Sequence, residues 1–209
     1  MADWATISAL ATAGGTLVLA GATFASVRSA NRAARAAETS LLAGLRPLLL
    51  PSHLEDAGQK VSFVDGHVLA VRGGGGAVEI DGDSILLAMS VRNVGSGIAV
   101  LHGWHLHPEL WRGDHADLDE FTSLTRDIYV PAGDIGFWQG SFRDPESEQF
   151  QALKRTVDAR ERFTVDVLYG DFEGGQRIVT RFGFLPQDSG WLLGAGRHWN
   201  VDRIDPRPR

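Results

Sequence analysis

Residues Trp4 to Val27, WATISALATAGGTLVLAGATFASV, run for 24 positions without a charged side chain. As one helix the run is about 36 Å long, against about 30 Å for the hydrocarbon core of a bilayer. A helix that is apolar or small on every side has no polar face for water, so it belongs inside protein or inside lipid. A cleaved signal peptide would place Lys or Arg ahead of its apolar stretch. Here Asp3 precedes the run without any basic side chain, and no convincing A-x-A site precedes the arginines that follow. The expectation is a retained membrane helix. Its insertion energy is modest: Ile7, Leu10, Leu17, Val18, Leu19, Phe24 and Val27 together contribute roughly −2 to −4 kcal/mol, and Gly, Ser and Thr offset part of it. Ala9 with Ala13, and Ala11 with Gly15, place small residues four apart. That spacing lets a second copy or another membrane protein's helix approach closely, although an alanine-rich composition produces it too.

The next stretch, RSANRAARAAETSLLAGLRP, is rich in Ala, Leu and Arg, all good helix formers. The helix is expected to continue to about Ala43, with Gly44 and Pro47 as stops. Arg28, Arg32 and Arg35 fall at i, i+4 and i+7 and share one face. They are the candidate membrane-surface residues, each contributing about 1 kcal/mol near anionic lipid. By the positive-inside rule they hold their side of the span in the cytoplasm, with the N-terminus outside and the rest of the chain cytosolic.

Charge divides the chain. Residues 1–46 carry four basic and two acidic side chains, while the remainder carries sixteen basic against twenty-four acidic. An acidic globular part is a poor partner for phosphate backbones, so nucleic acid is set aside. The absence of cysteine excludes disulfides, Cys-ligated zinc and a thiol nucleophile.

From about residue 46 to 201 the pattern changes to period two. Ile85, Leu87, Met89 and Val91 share one face of SILLAMSVRNVG. Phe163, Val165, Val167 and Tyr169 alternate with Thr164, Asp166 and Leu168, and Ile178, Thr180, Phe182 and Phe184 continue the pattern after DFEGGQ, a hairpin turn. Seven to nine such strands, with no βαβ alternation, predict a mainly β antiparallel sandwich. One amphipathic helix is inserted at 145–160, with Asp144 as its N-cap, Pro145 at its first position and Phe150, Leu153 and Val157 facing inward. The glycines of RGGGG, Arg72–Gly76, lack the G-K-[ST] of a phosphate loop and are read as a flexible hairpin loop. Residues 202–209 form a C-terminal tail.

HGWHLH, His102 to His107, raises the question of a metal site. In an unbroken strand His105 and His107 share a face with Ala99 and Leu101, and His102 lies on the other with Trp104 and Leu106, unless Gly103 makes a bulge. Zinc needs three or four ligands. Asp114, His115 or Asp117 of GDHADLDE is near enough in sequence to assist, but no known spacing is met. His105 and His107 are thus the metal candidates, set against the plainer expectation of a strand face beside an acidic loop. No G-x-S-x-G elbow or EF-hand pattern occurs, and the carboxylates of DGD (81–83) and GDFEGG (170–175) read as turn residues. No catalytic residue and no cofactor motif is assigned.

The uncharged span, the Ala/Arg-rich helix, Arg46–Pro47 opening a β domain, RNVGSGIA (92–99), YGDFEGG (169–175) and the terminal RHWNVDRIDPRPR together resemble a loose group of uncharacterised bacterial, actinobacterial-type, single-span membrane proteins. The resemblance implies an immunoglobulin-like sandwich on a membrane anchor, and it brings no catalytic residues. The resulting expectation is a non-enzymatic binding or assembly module on the cytosolic face of the cell membrane, with the bilayer as its first partner. The alternatives are an extracytoplasmic anchored sensor or envelope protein, and a metal-dependent enzyme using His105 and His107.

Overall fold

The computed structural model describes residues 3–202, so residues 203–209 of the predicted tail lie outside the described residues. The chain divides between Ala43 and Gly44 into two units.

The first unit is α1 (Trp4–Gly44), a continuous helix of 41 residues. Among the described residues it provides one segment, Ile7–Leu42, long and apolar enough to cross a membrane. Its large apolar side chains are exposed, including Leu17, Leu19 and Phe24. Three of its threonines satisfy their hydroxyls within the helix: Thr12, Thr16 and Thr23 donate to the carbonyls of Ser8, Thr12 and Leu19, one turn back. In hydrocarbon, where water cannot satisfy a hydroxyl, such internal bonding is the low-energy arrangement. Arg28, Arg32 and Arg35 lie along one side of the helix with Val27 and Asn31.

The second unit is mainly β. β5 (Ser84–Asn93) is flanked on one edge by β4 (Gly75–Asp81) and β1 (Leu49–Pro51), and on the other by β8 (Ile135–Phe142). Next come β11 (Trp191–Asn200), β10 (Arg177–Pro186), β9 (Phe163–Asp171), β6 (Ala99–His107) and β7 (Thr122–Val130), all antiparallel. Two residue pairs, Trp191↔Gly76 and Leu192↔Gly75, join the halves of this nine-stranded sheet. Among the described residues no backbone ladder joins β7 to β8, so the sheet curls without closing. β2 (Gln59–Ser62) and β3 (Val68–Val71) form a separate hairpin that covers Leu86 and Ala88, the outer side chains of β5. Among the described residues eleven strands thus replace the expected seven to nine; the short β1 to β4 lack the long alternating runs that mark the others.

The curl encloses one core. Ile85, Leu87, Met89 and Val91 face Phe163, Val165, Val167 and Tyr169 from the opposite half, with Trp104 and Trp138 between them. α2 (Glu148–Asp158) adds Phe150 and Leu153 to that core, with Val157 half-buried beside it. Burial pushes the Tyr169 hydroxyl up to about 12. It accepts from Leu49 N at 3.1 Å and meets Thr180 Oγ1 at 2.8 Å, fastening β1 to β9 and β10.

Three local expectations are corrected. The ladder on β6 shifts register between Leu101 and Gly103. Ala99, Leu101, Trp104 and Leu106 all belong to the core, so the strand changes parity at His102 and the uniform alternation fails. The N-cap of α2 is Ser147, whose side chain accepts from Phe150 N, and Asp144 instead accepts from Glu146 N in the preceding turn. The glycines of Arg72–Gly76 are a packed corner rather than a flexible loop: Gly75 and Gly76 belong to β4, and a Cβ on Gly76 would collide with the Phe184 ring.

Candidate functional site

The outer face of β6, β9 and β10 gathers the polar side chains. His105 lies opposite Asp166 across β6 and β9, and Asp166 lies opposite Arg181 across β9 and β10. Asp166 is fully buried and Arg181 is 5% exposed. Their contact is bidentate, Nε to Oδ1 at 2.7 Å and Nη2 to Oδ2 at 2.6 Å. The geometry suits a planar guanidinium against a carboxylate. His107 Nε2 lies 3.2 Å from Asp166 Oδ2. Burial works against the charge on Asp166, but the bonds from Arg181 and then His107 outweigh it and hold the carboxyl below its ordinary value.

Arg181 also fixes the segment that follows β6. Its Nη1 donates to Gly113 O at 2.7 Å and its Nη2 to Asp114 O at 3.2 Å. Thr164 Oγ1 donates to Glu109 O, and Thr156 Oγ1 of α2 donates to Pro108 O. Trp111 then stacks on His107, with ring centres 5.5 Å apart and planes 12° from parallel. Its Nε1 donates to Asp114 O. Between this segment and the outer face of β10 and β11 lies a groove of about 380 Å³, lined by Trp111, Arg112, Arg197, Trp199 and three strand glycines. Sites for small molecules begin at about 300 Å³.

Of the sequence candidates, His105 and His107 are brought together, with ring centres 4.7 Å apart. His105 Nδ1 is 3.3 Å from Glu120 O. His115 packs edge-on against Trp199 instead. His102 leaves the set at the bulge, where desolvation and then the Arg177 charge lower its pKa. Among the described residues no group of three or more His, Asp or Glu side chains converges in a way that holds a metal ion. No nucleophile is hydrogen-bonded to His107 among the described residues. What the cluster does chemically is lock a buried charge, pin a loop and present tryptophan and arginine to a groove.

Asp166, Arg181, Trp111 and Trp199 were not singled out from the sequence. A usable signal was there. Asp166 interrupts an apolar strand, Arg181 interrupts the next, and the DFEGGQ turn sets them opposite each other.

Comparison with models of known protein families finds no match, and no curated protein matches the chain.

Proposed function

We propose that the protein is a single-span membrane protein whose β domain serves as a binding or assembly module on the cytosolic face, of the anchored, immunoglobulin-like kind that the sequence resembles. The observation that carries the reading is α1: its first part, Trp4 to Val27, is uncharged and outwardly apolar with internally bonded hydroxyls, and the same helix continues at once into three arginines on one side. Positive charge flanking a span is retained in the cytoplasm, and the arginines there meet anionic headgroups. The two facing halves of the curled sheet support the sandwich part of the resemblance. Binding rather than catalysis is favoured because the buried carboxylate is spent on Arg181, and the nearest histidine is spent on that carboxylate.

The test is protease protection in spheroplasts. The full chain stays in the membrane pellet after alkaline carbonate washing, and the β domain survives external protease until the membrane is broken. Release by carbonate would refute the anchor. Digestion in intact spheroplasts would place the domain outside and turn the reading to an envelope-facing sensor.

A further inference from the structure

We propose that the seam between β7 and β8 binds an extended peptide segment of a partner protein, which adds as a strand to the open edge of β8. The proposal rests on the binding reading above and names the partner class.

The first support is an edge that the fold leaves open. All eight residues of β8 pair with β5 on one side, and among the described residues no ladder forms on the other. In an antiparallel ladder every second residue turns its N–H and C=O away from the partner strand, so β8 holds a row of these groups toward β7. β7 does not take them up. Its own ladder with β6 jumps from Ile128 to Ser123, which leaves Leu124, Thr125, Arg126 and Asp127 without a register partner on either side among the described residues. A side-chain bond spans the seam instead, from Arg126 Nη2 to Gln139 Oε1 at 2.8 Å. Strand edges are ordinarily defended against pairing with other chains by charge, proline or a bulge. Ile135–Phe142 carries neither charge nor proline, and its register with β5 is unbroken.

A cavity lies in front of this edge. It measures about 560 Å³ and is bounded by Gln139 to Ser141 of β8, Thr122 to Thr125 of β7 and the tip of the β2–β3 hairpin at Phe63 to Asp65. Gly140 has no side chain, so what it contributes to the wall is backbone. One residue of sheet occupies about 4.8 by 3.4 by 10 Å, roughly 160 Å³. The cavity therefore holds about three to four extended residues, and its β7 wall runs from Thr122 to Thr125. The lining selects the same occupant. Its two charged members, Asp65 and Arg143, are paired with each other at 2.8 Å, so no charge calls for a counter-ion. Trp104, Phe63 and Leu124 supply apolar surface, and the Trp104 ring is held edge-on by Trp138 and Phe142. An extended peptide offers backbone groups to the β8 edge and alternate apolar side chains to Trp104. β7 and the hairpin tip wall the cavity, so the folded sheet of a second copy is too thick to enter, and a single extended segment is not.

The experiment is fluorescence anisotropy of an end-labelled peptide with the full chain held in discs of zwitterionic lipid. The peptide alternates valine and threonine between two terminal lysines. Empty discs are one control. The other is the same peptide N-methylated at its two central residues, which removes a donor from each edge and keeps charge and side chains. The unmodified peptide is expected to bind once per chain, and the N-methylated one at least about tenfold more weakly. Thr125→Trp fills the cavity and weakens binding by at least about tenfold. Its thermal midpoint stays within about 2 °C of the wild type, because Thr125 is exposed and outside any ladder. Bound peptide slows amide hydrogen exchange at Gln139–Phe142. The proposal is overturned if the peptide gives the anisotropy of empty discs, if the N-methylated peptide binds equally well, if Thr125→Trp binds like the wild type, or if the slowed amides lie outside β7 and β8. Where Thr125→Trp does not fold, the exchange pattern of the wild type decides alone. Chains that stay in the discs yet bind no peptide lose the partner class and keep the anchored-module reading.

Discussion

Arg181→Met is the substitution that best separates structure from coincidence at the outer face. It removes a bidentate partner from a fully buried carboxylate and two well-formed bonds from the loop carbonyls of Gly113 and Asp114. Stranding one member of a buried pair destabilises by about 3–5 kcal/mol. His107 stays within reach of Asp166, and water can replace the loop bonds, so the lower end applies, about 3 kcal/mol. For a chain of this size that is a fall of about 6–12 °C in thermal midpoint. The loss depends on pH in a definite sense. In the wild type the Asp166 carboxyl lies below its ordinary 3.8, so its contribution is complete above that value and fades as pH falls through the folded-state pKa. In the variant, burial without Arg181 raises the carboxyl, so the variant's penalty is greatest near neutrality and shrinks on acidification. Urea unfolding followed by tryptophan fluorescence, at pH 7 and near pH 4, measures both effects. The double variant Asp166→Leu/Arg181→Met should recover most of the loss, because an apolar pair of similar size is no worse than a buried ion pair. A single variant within about 0.5 kcal/mol of wild type, the scatter of ordinary surface changes, would refute the argument. So would a double variant as unstable as the single.

Asn93 is fully buried and bonds Leu48 N, Gly95 N, Gly97 O and Val130 O through its one amide, so Asn93→Leu should cost about 2–4 kcal/mol in the same urea assay. After chelator treatment and dialysis against zinc, the full chain should retain well below one equivalent. Stoichiometric zinc that disappears in His105→Ala/His107→Ala would revive the metal-dependent alternative.

The sequence makes α1 legible because one property, the absence of charge from Trp4 to Val27, admits few structures. The long strands are legible for a similar reason: their alternation is local. What was not legible depends on partners distant in the chain. Nothing within LHGWH specifies that β6 changes parity at His102; Tyr169 and Leu168 on β9 set that register. Gly76 reads as slack in sequence but is demanded by Phe184, more than a hundred residues away. At the start of α2, DPES offers two residues with capping side chains, Asp144 and Ser147, and local competition between them is settled only by the turn that Asp144 closes. The Asp166–Arg181 pair was readable in principle, since the hairpin turn fixes which residues face each other.

The strand order has a kinetic consequence. β6 pairs with β9 across some sixty residues, and β4 pairs with β11 across more than a hundred. Contacts so far apart in sequence close slowly, because loop entropy is lost before the pairing repays it. During synthesis β4, β5, β6 and β8 therefore emerge with open edges and cannot share a core until β9 to β11 follow. On the anchored reading α1 has reached the membrane by then, so the domain folds while tethered, late and nearly all at once. That makes the newly made chain a customer for chaperones at the bilayer surface, and overproduction should aggregate it before it saturates the membrane.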